Sequence, residues 1–183
     1  MISSEALAAE KKLVEQAKTN KAAFLELYDA HFKRIYQYAY YRTLNPTEAE
    51  EITSQTFLAA LENIERYEHR GVPFAVWLYK IASSKLTNLN RKKEQTVVLE
   101  EAENIGDKAS TPEEALLRKN EKEELIHNLK KLPASQQQAI VLRFLQDCTY
   151  REISEIMDKT EGSVKQLLHR GLKSLRERMM HHD

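Results

Sequence analysis

Only four glycines, four prolines and one cysteine occur among 183 residues, and each scarcity excludes something. With so few breakers, long stretches run uninterrupted, which favours helix over sheet. The single cysteine, Cys148, excludes an intrachain disulfide. Without a CxxC pair or a His/Cys cluster, no metal site is expected. No apolar run reaches the length that crosses a bilayer, so no membrane insertion is expected. Met1 to Asn20 carry several Glu and Lys and no apolar block, which argues against a secretory leader and for a cytoplasmic protein. A net charge is also missing, because 28 Lys and Arg balance 28 Asp and Glu.

That balance conceals a pattern. From Thr43 to Glu65 there are five acidic residues and no Lys or Arg. From His69 to Lys93 there are six basic residues (Arg70, Lys80, Lys85, Arg91, Lys92, Lys93) and no acid. From Glu94 to Leu117 the balance is acidic again. Blocks of this kind suit one surface facing a polyanion and another facing a basic partner, although ordinary solvated helix faces give the same pattern.

Prolines punctuate the chain. Asn45-Pro46-Thr47-Glu48 and Thr111-Pro112-Glu113-Glu114 each place an N-cap residue, a proline in the first turn and an acidic residue behind it. Arg70-Gly71-Val72-Pro73 reads as a loop. The periodicity predicts helices over Lys21–Thr43, Pro46–Tyr67, Phe74 to about Lys93, Glu113–Leu132, Ser135–Leu145, Tyr150–Met157 and Glu161–Met179, with another within residues 1–20. Gln95–Ser110 has no period and reads as linker. The expectation is an all-α chain of two small helical domains, 1–94 and 113–183, joined by a flexible acidic linker over 95–112.

In the second domain, Ala139, Ile140, Leu142 and Phe144 give one helix an apolar side. Ile153, Ile156 and Met157 stripe a short helix, and Asp158-Lys159-Thr160 makes a turn. Val164, Leu167, Leu168, Gly171 and Leu175 then recur at helical spacing. A short helix, a tight turn and a longer helix form a helix-turn-helix. Away from its apolar stripe the longer helix offers Lys165, Gln166, His169, Arg170 and Lys173. Near a helix start, Arg reads guanine edges, Gln reads adenine and Lys neutralises phosphate. A solvated face on a protein-binding unit is the plainer alternative.

In the first domain, Ala49, Ile52, Thr56, Phe57, Ala60 and Ile64 point to the core of the Pro46 helix. Glu48, Glu51, Gln55, Leu58 and Glu62 share another face. An acidic stripe interrupted by a leucine fits a basic helical partner, with Leu58 as the apolar anchor. Glu48 and Glu51 lie one turn apart, but the neighbouring residues supply no further metal ligands. No catalytic residue and no cofactor are expected, so the chain does not read as an enzyme. The next helix turns Phe74, Trp77, Leu78, Ile81, Ala82, Leu86 and Leu89 inward. It offers Lys80, Ser83, Ser84, Thr87, Asn88 and Arg91 on a polar, basic strip suited to a nucleic-acid backbone.

Several of these segments resemble the extracytoplasmic-function (ECF) sigma factors, subunits that carry bacterial RNA polymerase to promoters. The resemblance rests on Leu132-Pro133, Leu142-Arg143-Phe144, Tyr150-Arg151-Glu152-Ile153-Ser154-Glu155-Ile156 and Gly162-Ser163-Val164-Lys165 through His169-Arg170. It rests also on Leu27-Tyr28-Asp29-Ala30-His31 with Ile35-Tyr36, Ala49-Glu50-Glu51-Ile52 with Phe57-Leu58, and Phe74 with Trp77-Leu78-Tyr79-Lys80-Ile81-Ala82. It implies that Ser163, Lys165, Gln166, His169, Arg170 and Lys173 face the −35 promoter element. It implies that the Arg66–Pro73 loop, with Arg66 and Arg70, and the helix after it handle the −10 element as single strand. It implies that the Pro46 helix docks on the coiled coil of the polymerase's largest subunit, and it allows an anti-sigma partner. Asp158 stands where the family commonly has Gly, and Ser83-Ser84 where it has Arg-Asn. A helix-turn-helix regulator that is not a polymerase subunit is the alternative.

Overall fold

Two asparagines start two helices of the first domain. In the computed structural model, which describes residues 4–97 and 125–180, α1 spans Ser4–Ala17 and α2 spans Lys21–Thr43. Asn20 caps α2 by accepting the Ala22 backbone N–H at 2.9 Å. Leu44 closes α2 in the left-handed region at φ 55 and donates to the Tyr40 carbonyl. One residue later Asn45 accepts from Glu48 N at 3.1 Å, with Pro46 in the first turn. The stop and the start adjoin, so α3 (Pro46–Asn63) folds back along α2. Its last turn tightens into a 3-10 turn at Ile64–Arg66 instead of running on to Tyr67. After the loop, α4 spans Phe74–Val97, longer than its apolar period implies.

The core between these helices is built from Leu27, Ile35, Tyr38, Phe57, Phe74, Leu78 and Leu86, all buried. Thr53 and Thr56 are also buried, and each hydroxyl donates to the carbonyl one turn earlier, at 2.6 and 2.7 Å. Their polar atoms are therefore satisfied within α3 itself. Trp77, expected in the core, is half-buried: its ring lies 4.7 Å from Tyr67 and 5.5 Å from Phe74, centroid to centroid.

The helix-turn-helix domain begins, among the described residues, with a helical stretch α5 at 125–130. The linker over 95–112 and the first half of the Glu113–Leu132 helix lie outside the described residues, bar the end of α4. α6 (Ala134–Ile140) passes into a π-helical turn at Val141–Leu145. Gln146 N then bonds the Val141 carbonyl and Cys148 N the Leu142 carbonyl. α7 covers Tyr150–Met157 behind a capping box made by Thr149 and Glu152. Asp158 ends α7 in the left-handed region at φ 52. Thr160 accepts from Ser163 N at 3.2 Å to start α8, Glu161–Met180. Gly171 lets α8 approach α6, since a Cβ there would sit 2.8 Å from Ile140 Cδ1.

The π turn overturns one expectation. Phe144, placed by helical spacing on the apolar side, is 53% exposed. A π turn advances the backbone by one residue per turn relative to an α-helix. Val141 and Leu142 keep the core, and Phe144 swings outward.

Candidate nucleic-acid and partner-binding surfaces

α8 carries Val164, Leu168 and Leu175 inward against α6 and α7. Helical geometry then forces the intervening residues outward, and Ser163, Lys165, Gln166, His169, Arg170 and Lys173 are all exposed. Ser163 is tied to Thr160 through their hydroxyls at 3.0 Å. Lys173 reaches Glu177 one turn later at 3.9 Å, an exposed pair of little energetic weight. The Lys165 ammonium lies 5.3 Å from the Tyr150 ring centroid, and the Arg143 guanidinium 5.0 Å from the same ring. Arg143 also donates to the Cys148 carbonyl at 2.9 Å. The ring thus orients Lys165 near the start of α8. Sequence reasoning quoted Arg143 and Tyr150 without giving them this task; their spacing across the turn carries no periodic signal.

The strip on α4 divides. Ser84, Thr87, Asn88 and Arg91 are exposed, with the Thr87 hydroxyl donating to the Ser83 carbonyl. Lys80 is half-buried beside them. Ser83 turns away from this group. Its hydroxyl bonds Tyr38 Oη at 2.8 Å and accepts from Gln138 Nε2 at 2.9 Å. At the N-terminal end of α4 the loop closes a cavity of about 330 Å3 lined by Arg66, Tyr67, Glu68, Arg70, Val72, Val76, Trp77, Lys80 and Glu155. Arg66, Arg70 and Lys80 supply cations around an aromatic wall. Glu68 and Glu155 add two carboxylates to the same lining.

On α3, Glu51, Leu58 and Glu62 are exposed, and Gln55 donates to Glu51 at 2.8 Å. Glu48 does not stand free in this stripe: Lys93 of α4 pairs with it at 2.6 Å. Leu58 is 57% exposed and shares its face with exposed Leu61. A shallow apolar groove of about 270 Å3 continues beside them, lined by Lys21, Phe24, Leu25, Tyr28 and Leu61. Leu25 and Leu61 were missed as partners of Leu58, although Leu61 follows it by three residues, the helical repeat.

Among the described residues no cluster of His, Cys, Asp or Glu is able to hold a metal, and no helix is long and apolar enough to cross a membrane. A helix-turn-helix with an exposed basic helix, and a separate bundle with an acidic, leucine-bearing helix, define a DNA-binding transcription protein built from two bodies. Residues 27–96 match the family described as Sigma-70 region 2, and residues 122–175 the family described as Sigma-70, region 4. The chain is 30% identical over 181 residues to the ECF RNA polymerase sigma factor SigW of Bacillus subtilis, covering 92% of this chain and 96% of that protein. It is 32% identical over 167 residues to the ECF RNA polymerase sigma factor BldN of Streptomyces coelicolor, covering 90% of this chain but 63% of that longer protein. The chain belongs to the ECF RNA polymerase sigma factors. Two solved structures share the fold at 20% identity. CnrH, in complex with the cytosolic domain of CnrY, superposes with a TM-score of 0.73, covering 96% of this chain and 99% of that one. The sigma factor RpoE of Bartonella quintana, bound to the anti-sigma factor NepR, gives 0.70, covering 87% and 98%.

Proposed function

We propose that this chain is a cytoplasmic alternative sigma factor that binds core RNA polymerase and directs it to promoters, without catalysing a reaction of its own. The observation that carries this reading is the separation of two chemically opposite surfaces on two bodies. The acidic α3 face with Leu58 and Leu61 fits the basic coiled coil of the polymerase's largest subunit. The basic α8 face fits a major groove at the −35 element, with Arg170 and Gln166 toward base edges and Lys165 and Lys173 toward phosphate. The loop cavity, with Ser84, Asn88 and Arg91 beyond it, receives the −10 strand. The domain limits 1–94, 95–112 and 113–183 belong to the same proposal.

Promoter opening without ATP requires tighter binding to melted than to duplex DNA. A base flipped into the cavity between Trp77 and the loop arginines provides that difference. An anti-sigma partner, like NepR for the Bartonella protein, is part of this reading. Permanganate footprinting of the promoter with the Arg66–Pro73 loop replaced by a Gly-Ser linker tests the melting step. Melting should be lost while association with core enzyme persists. Unchanged melting would remove the loop from the mechanism. A helix-turn-helix regulator working without polymerase has no use for the α3 face.

A further inference from the structure

One carboxylate interrupts the apolar stripe by which α1 packs on the bundle. Leu7, Glu10, Leu13, Val14 and Ala17 form the less exposed side of α1 at helical spacing, and the Glu10 side chain is only 16% exposed. A carboxylate is a poor choice for plain bundle stability, because its desolvation opposes its pairing. Its two oxygens go to specific partners. Oε2 accepts the Phe74 backbone N–H at 2.8 Å, and Oε1 lies 3.4 Å from His31 Nε2 of α2. α4 needs that bond because it follows Pro73, whose ring offers no acceptor, whereas α2 and α3 each begin on an asparagine cap. Phe74 is fully buried, so its N–H has no water to turn to.

Phe74 also anchors the loop cavity. Its ring lies 5.6 Å from His31, 5.3 Å edge-on from Tyr67 and 5.5 Å from Trp77, centroid to centroid. Within the loop, His69 Nδ1 accepts the Gly71 N–H at 3.1 Å, and Gly71 turns in the left-handed region at φ 71. Tyr67 and His69 both lie in the field of the Glu10 charge. Burial, together with that charge, pushes the Tyr67 hydroxyl up to about 12. A single side chain of α1 therefore bears on α2, on the loop and on the first residue of α4. We propose that Glu10 is a positioning residue for strand opening: through it α1 holds the Tyr67–Phe74 loop in the form that captures the −10 strand, without touching DNA. The segment that matches Sigma-70 region 2 begins at residue 27, so this control of the loop comes from outside that segment.

This role for Glu10 rests on the reading of the loop cavity as the strand site, and two readouts separate their failures. Trp77 is the single tryptophan of the chain and lies 4.7 Å from the Tyr67 ring, so its emission reports the loop. Glu10→Ala in the full chain should shift that emission to the red. With core polymerase, on a promoter mapped for this chain and carrying 2-aminopurine in its −10 element, the variant should slow strand opening roughly tenfold, as when the capture-ready loop becomes a minor form. Association with core enzyme and binding to −35 duplex should not change. Ile35→Val, which trims one methyl from the buried core of the same bundle at a comparable cost in stability, should move neither readout. Opening slowed as much by Ile35→Val, or lost together with core association, would reduce Glu10 to general stability and overturn the role. Unmoved Trp77 emission would overturn it as well, and would leave the cavity reading untouched. A red shift with normal opening would instead overturn the cavity as the strand site, and the role with it.

Discussion

The Glu10 carboxylate of α1 accepts the Phe74 backbone N–H that begins α4, at 2.8 Å, across 64 residues of sequence. The same carboxylate lies 3.4 Å from His31 Nε2. An N-terminal helix of no evident purpose is thereby made the cap of the helix proposed to bear the −10 surface. Burial works to raise the Glu10 carboxyl, but the bonds from His31 and Phe74 outweigh it and hold it below its ordinary value. A carboxyl lowered on folding stabilises above its unfolded pKa, near 4.5, and that contribution fades as pH falls through the lower folded value. Glu10→Gln should cost ~1 kcal/mol in urea unfolding at pH 7. It should also weaken the acid sensitivity of stability below that pH. A variant with unchanged acid sensitivity would remove Glu10 from this task.

Asp158 offers the reverse case, a position whose backbone conformation works against stability. Its φ of 52 lies in the left-handed region, which an aspartate tolerates less well than glycine. Asp158→Gly should raise stability by up to ~1 kcal/mol and leave DNA binding intact. A fall in thermal midpoint would show that the Asp158 side chain holds the turn in another way.

For the polymerase face, exposure makes a clean test possible. Leu58→Ala and Leu61→Ala should each weaken association with core enzyme about tenfold, the loss typical of an interface anchor. Neither change should move the thermal midpoint much, since both side chains face solvent. Glu48→Gln should have a smaller effect on association, because Glu48 is already paired with Lys93. Equal losses for all three would mean that the Lys93 pair opens on docking.

Arg170 projects from α8 with no charged partner within the described contacts of its own helix face. Arg170→Ala should weaken binding to −35 duplex and reduce the salt slope by about one counterion. An unaltered slope in titrations at several salt concentrations would place its guanidinium elsewhere.

What could be read in advance follows from range. Asn45-Pro46, the Asp158 turn and the α8 stripe are local signals, and the helices they bound lie where spacing puts them. Phe144 escaped because a π turn slips the register by one residue without any change of composition. Ser83 escaped because its partners, Tyr38 and Gln138, lie 45 and 55 residues away. For the same reason Glu10 gave no sign of capping α4. Exposure of the α8 face was legible because apolar periodicity on one side dictates it on the other.

The central claim is a division of labour between two bodies, and reconstituted transcription reads it most directly. Core polymerase, purified free of other sigma factors, should initiate at defined start sites on genomic DNA only when this chain is added. Leu58→Ala should lower all initiation together, and Arg170→Ala should lower it most at promoters that depend on the −35 element. Core enzyme that neither binds the chain nor gains any start site from it would contradict the account.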